Sequence, residues 1–147
     1  MTIDETDERI LKHLLGDARQ SARQLALKLG MSTVTVLSRI KKLEKAKVIQ
    51  RYTAIIDHEK IGYSLTAIIE IIAKNDKMVD IEDEISKFEN VCAVYDITGS
   101  TDTIIIAKFK ERNELSKFVK SLASIPNVEN TITHVVLNTT KEDFRLS

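Results

Sequence analysis

Residues 32–45, "STVTVLSRIKKLEK", set Ser32, Thr33, Thr35 and Ser38 beside Val34 and the cations Arg39, Lys41, Lys42 and Lys45. Short hydroxyls and methyl groups can meet base-pair edges, including the thymine methyl, while lysine and arginine can meet phosphates. That chemistry needs the side chains on one face of a rigid element. Local propensity argues for a strand, since Thr33, Val34, Thr35 and Val36 are all β-branched. Periodicity argues otherwise. At 100° per residue Val36, Ile40 and Leu43 fall within about 60° of one another, an inward stripe that predicts a helix. Ser32, just after Gly30 and Met31, is its natural N-cap. Val34, Ser38, Lys41 and Lys45 then lie opposite the stripe, Thr35 and Lys42 on one flank, and Arg39 nearer the core edge. An outward valine lowers helix propensity by a few tenths of a kcal/mol, and a solvated surface has no need of it. Packing of Val34 and Thr35 against a neighbouring element or subunit is the other reading.

The remaining reactive side chains form no site. His13, His58 and His134 have no partners at metal or triad spacing, and the chain carries no phosphate loop or nucleophile motif. No catalytic residue, metal site or cofactor is predicted, and the chain is not read as an enzyme. His134 alternates with Thr133 and Val135 as a strand residue does. Cys92 is the lone cysteine, which excludes an internal disulfide; within "VCAVYDI" it reads as a small buried side chain.

The elements that would hold the 32–45 helix are two shorter helices before it. Asp4 caps an acidic first turn followed by Ile10, Leu11, Leu14 and Leu15, closed by Gly16; Ser21 caps a second with Leu25, Ala26 and Leu29, closed by Gly30. A strand is expected at 49–56, then a loop punctuated by Gly62. Beyond it the pattern gives strands at 65–73, 91–97, 103–109 and 131–137, with helices at 79–89 and 113–124. The order βαββαβ is the ferredoxin-like arrangement, in which two helices cover one face of a four-stranded antiparallel sheet. The fold class is therefore α+β: a winged helix-turn-helix domain over 1–60 and a ferredoxin-like domain over 61–147. Both faces of the first long strand are apolar, Leu65, Ala67, Ile69 and Ile71 against Ile68 and Ile72. A greasy face that no helix of this half covers predicts self-association, most simply a dimer with sheets face to face, the other reading being that the N-terminal unit folds over it.

Zero net charge hides an asymmetry. Residues 1–60 hold 12 Lys+Arg against 8 Asp+Glu, and residues 61–147 hold 10 against 14. A basic first unit suits a polyanion, here double-stranded DNA. No run reaches the roughly 18 apolar residues of a membrane span, and the acidic start does not resemble a secretory signal; a cytoplasmic location without membrane partners is expected.

The chain resembles the leucine-responsive regulatory protein (Lrp)/AsnC family of transcription regulators. In "ARQSARQLALKLGMSTVTVLSRIKKLEKAKVIQRYTAIID", Ala18, Arg19, Ser21, Leu25, Ala26, Ser32, Thr35, Val36, Arg39, Ile40, Leu43, Glu44, Val48, Ile49, Tyr52 and Asp57 stand at family-typical offsets. "DITGSTDTIII" stands where the family has a Gly-x-x-Asp turn between strands, and "IPNVENTITHVVL" resembles the approach to the last strand. The resemblance implies an oligomeric DNA-binding regulator, a homodimer often assembled into octamers, with a small effector, commonly an amino acid, bound at dimer contacts. Carried over, Gly99 and Asp102 fall on the effector turn, with Thr131 and Thr133 on the adjoining strand. A carboxylate suits an α-ammonium, and glycine-turn N–H groups suit an α-carboxylate. A plain hairpin turn is the alternative for these residues, and an effector-binding oligomer without functional DNA binding is the alternative for the whole chain. Four positions depart from the family pattern. Ser100 and Thr101 fill the middle of the turn, and Lys47 and Asn127 stand where glycine is usual; a left-handed backbone at Lys47 would cost about 1 kcal/mol, and asparagine tolerates that region.

Overall fold

A computed structural model describes residues 1–74 and 78–146, except for the side chains of 78 and 79. The chain divides into two compact units, one of Met1–Ile55 with the tail from Lys141 onward, the other Ile56–Thr140. The tail thus joins the first unit, although the sequence reading placed it in the second. Its Arg145 guanidinium donates to the Leu15 carbonyl at 3.4 Å, a cation at a helix C-terminus, and pairs with Asp143 at 2.8 Å.

The first unit contains α1 (Glu5–Gly16), α2 (Ala22–Leu29) and α3 (Thr33–Lys45). Asp4 caps α1 in a reciprocal box with Asp7, and Ser21 caps α2 in the same way with Gln24. Gly30 ends α2 in the left-handed region (φ 66°), with the Met31 N–H returning to the Ala26 carbonyl at 3.0 Å. Gly16 does not act so: it is the last helical residue, and Asp17 leaves in extended backbone. The Gln20 amide supplies what a left-handed cap would have, donating to the carbonyls of His13 (2.9 Å) and Asp17 (2.8 Å). Ile10, Leu25, Ala26, Leu29, Val36 and Leu43 form the core, with Ile40 partly buried against it.

The strand expected at 49–56 is absent: among the described residues no segment pairs with it, and Ile55 and Ile56 are exposed. A strand exists only through a ladder, and the described residues of this chain form none here. Lys47 is left-handed (φ 60°), which costs a residue other than glycine about 1 kcal/mol.

The second unit is a four-stranded antiparallel sheet in the order β2-β3-β1-β4, built from β1 (Leu65–Ala73), β2 (Val91–Asp96), β3 (Thr103–Phe109) and β4 (Val128–Val135), with α4 (Met78–Ile85) and α5 (Arg112–Ser124). This is the ferredoxin-like topology. Ala67, Ile69 and Ile71 of β1 and Ile105, Ala107 and Phe109 of β3 are buried with Ile81, Ile85, Phe118 and Leu122 of the helices. The opposite face presents Ile68 opposite Ile106, with Glu70 opposite Ile104 and Ile132. α4 ends earlier than its periodicity suggested. Ser86 turns back to the Asp83 carbonyl (2.8 Å), and tighter turns bring Phe88 onto Phe118 edge to face. β4 starts three residues before the expected 131, after Asn127 (φ 72°), whose carbonyl accepts the Lys74 N–H at 2.7 Å. Cys92 is exposed rather than buried, because it falls at the register break between Val91 and Ala93 on an edge strand.

Candidate DNA and effector sites

α3 presents the predicted face. Ser32 Oγ accepts the Thr35 N–H at 3.1 Å and lies 2.8 Å from the Thr35 hydroxyl, so both hydroxyls are engaged in capping. Thr33 is partly buried, while Val34 (77% exposed), Thr35, Ser38, Lys41, Lys42 and Lys45 are exposed. An open depression of about 460 Å³ runs along this surface between Val34, Ser38 and the three lysines. Leu37, 43% exposed, lines it too and was missed from sequence. Its position three residues after Val34, on the same helical side, was the available signal. The face therefore offers an apolar pair near the helix start and three ammonium groups beyond it.

Arg39 does not join them. Its Nη1 donates to both carboxylate oxygens of Asp4, at 2.8 and 2.7 Å, and to Asp7 Oδ1 at 3.1 Å. The Arg39 hydrogen bond, then the Asp7 backbone N–H, hold the Asp4 carboxyl below its usual range, and the same carboxylates raise Arg39 further. The expected phosphate contact is thus occupied by an intramolecular clamp.

In the second unit the turn between β2 and β3 is fixed by three bonds: Ile97 N–H to the Asp102 carbonyl (2.9 Å), Asp102 N–H to the Ile71 carbonyl (2.9 Å), and Ala73 N–H to Asp102 Oδ2 (2.8 Å). Gly99 is left-handed (φ 113°) with nothing near a would-be Cβ, so backbone angle rather than space selects glycine. Asp102 therefore has the local structural role of a turn residue, holding the end of β1 where its register with β4 breaks at Ala73. Thr131 and Thr133 pair with Ile71 and Ile69 from the other side of β1. Asp102 and Thr131 flank the same strand, about two strand spacings or 10 Å apart, rather than meeting. Thr101, almost fully buried, donates to Glu70 Oε1 at 3.0 Å, and His134 Nε2 lies 2.8 Å from Glu70 Oε2. This bridge, on the sheet face opposite the one packed against α4 and α5, was not legible in sequence.

Comparisons with known proteins agree with both halves. Residues 3–50 match a winged helix-turn-helix DNA-binding family, and residues 66–146 match the Lrp/AsnC ligand binding domain. A helix-turn-helix-type transcriptional regulator of Pyrococcus furiosus is 49% identical over 146 residues, 99% of each chain. The regulator FL11 of Pyrococcus abyssi is 37% identical, covering 99% of this chain and 97% of its own. Among solved structures, a transcriptional regulator of Neisseria meningitidis in complex with L-methionine superposes with a TM-score of 0.88 at 29% identity, covering 99% of this chain and 97% of that one. LrpC of Bacillus subtilis gives 0.85 at 26% identity, covering 97% and 100%. No described helix is long and apolar enough to cross a membrane. Helix-turn-helix, ferredoxin-like sheet and full-length relatives agree: the chain belongs to the Lrp/AsnC family of DNA-binding transcription regulators.

Proposed function

We propose that the protein acts in the cytoplasm as a homodimer, assembling further into octamers, that reads duplex DNA with α3 and responds to an amino-acid effector. The exposed apolar start of α3 carries the DNA assignment: Val34, with Leu37 beside it, meets thymine methyls in the major groove, Ser32, Thr33, Thr35 and Ser38 approach base edges closely, and Lys41, Lys42 and Lys45 meet phosphates. Two copies read half-sites about one helical turn apart. The uncovered face of the sheet, with Ile68, Ile104, Ile106 and Ile132, supports a dimer formed sheet to sheet. Gly99, Asp102, Thr131 and Thr133 are the effector residues; the L-methionine bound by the Neisseria relative supports an amino acid as ligand. Because Asp102 and Thr131 stand on opposite sides of β1, the effector site needs more than these residues of one copy, and a dimer contact supplies it.

Duplex titrations at rising salt test the reading. Affinity should fall steeply with salt, and Lys42→Ala should lower the log–log slope by about one on every sequence. Val34→Ala should change sequence preference; equal weakening on all duplexes would remove Val34 from base reading.

A further inference from the structure

Arg39 looked from its position like one more phosphate-binding cation on α3, but its surroundings argue for another role. Two carboxylates face it, one of them on Asp7, which is only 3% exposed. One guanidinium between two carboxylates leaves the cluster negative, which repels phosphate. Both carboxylates belong to the capping box of α1: Asp4 Oδ1 also accepts the Asp7 N–H (2.9 Å), and Asp7 Oδ2 accepts the Asp4 N–H (3.2 Å). Their positions are therefore set by the helix start itself.

We propose that Arg39 is a positioning residue for DNA reading, whose Nη1 fixes the rotation of α3 against the Asp4–Asp7 box, and that this clamp sets sequence discrimination without contacting DNA. The proposal rests on the assignment of α3 to the major groove. Val36 and Leu43 bury α3 by aliphatic packing, which is not directional, whereas charge-assisted hydrogen bonds are. Arg39 follows Thr35 by one helical turn, so it lies beneath the proposed reading side chains. A depression of about 540 Å³ adjoins Val34, Thr35, Arg39 and both acids. Side-chain tips lie about 5–6 Å from a helix axis, so a rotation of about 10° moves Val34 by about 1 Å, enough to spoil contact with a base edge.

The test compares Arg39→Gln, Asp7→Asn and Asp4→Asn on a duplex selected from random DNA by the wild-type protein and on a scrambled duplex, by fluorescence anisotropy at several salt concentrations. Arg39→Gln and Asp7→Asn should each lower the selected-to-scrambled affinity ratio by about tenfold, the size of a lost base contact, and Asp4→Asn by a smaller factor. The salt slope of Arg39→Gln should equal that of wild type. The ratio separates positioning from mere stability, because loss of folded protein scales both affinities alike. Bare electrostatics predicts the reverse for the aspartates, since removing a negative charge near DNA tightens binding. A slope lower by about one in Arg39→Gln, tighter binding to the selected duplex by either aspartate variant, or an unchanged ratio would overturn the proposal. Asp4→Asn keeps an N-cap residue and an exposed site, so it decides alone where the other two do not fold. A wild type that selects no sequence overturns the major-groove reading itself, an outcome distinct from a change of slope in Arg39→Gln.

Discussion

Glu70 shows how much a single residue depends on neighbours far away in sequence. Its carboxyl is held below the ordinary range first by the hydrogen bond with His134, then by that from Thr101. A carboxylate depressed in the folded state contributes stability above its unfolded value of 4.5 and loses it as pH falls through the lower folded value. His134→Gln should therefore raise the Glu70 midpoint toward 4.5, seen by NMR of the side-chain carboxyl, and start acid unfolding at higher pH. An unmoved midpoint would leave Thr101 as the source of the depression. Alternation alone identified His134 as a sheet residue. The pairing spans 64 positions, which no periodicity reports. Arg39 is the same case in the first unit: helical phase placed it at the core edge, but only packing brought Asp4 and Asp7 to it.

At the scale of elements, segments that carry their own signals came through and those needing a partner did not. α2 and α3 followed from N-cap serines, apolar stripes and Gly30, all local features. β1 and β3 agree with their expected limits, since each is a long apolar run. Residues 49–56 form no ladder within this chain, and α4 was shortened by Ser86 and Phe88. The 97–102 turn was legible as Gly-x-x-Asp, but the bond from Ala73 to Asp102 was not. That bond allows a two-part test. Asp102→Ala should lower the thermal midpoint without ligand, because a partly buried N–H loses its acceptor at about 1–3 kcal/mol. Asp102→Asn keeps an acceptor oxygen, so it should melt near wild type yet lose any amino-acid-induced stabilisation. If Asp102→Asn retains that stabilisation, the carboxylate is not the ammonium partner.

For the whole molecule, the uncovered face of the sheet is the strongest prediction of assembly. Ile106 stands on β3 directly opposite Ile68 of β1, in the middle of that face. A carboxylate there would be buried without a partner in a sheet-to-sheet dimer. Ile106→Glu should sediment as a monomer at micromolar concentration and bind a two-half-site duplex far more weakly than wild type. Unchanged mass would move the dimer contact to another surface. The tail also belongs at this scale, since Phe144 to Leu146 follow the last strand in sequence but join the helical unit in space.

The two-part organisation, the ferredoxin-like strand order and the outward face of α3 were all legible in sequence, because amphipathic periods and caps are written in consecutive residues. Packing alone revealed that Arg39 is clamped, that Asp102 pins the end of β1, and that Thr101 and His134 converge on Glu70. Each of these depends on a distance between residues remote in the chain, and such distances arise when elements pack rather than when they form.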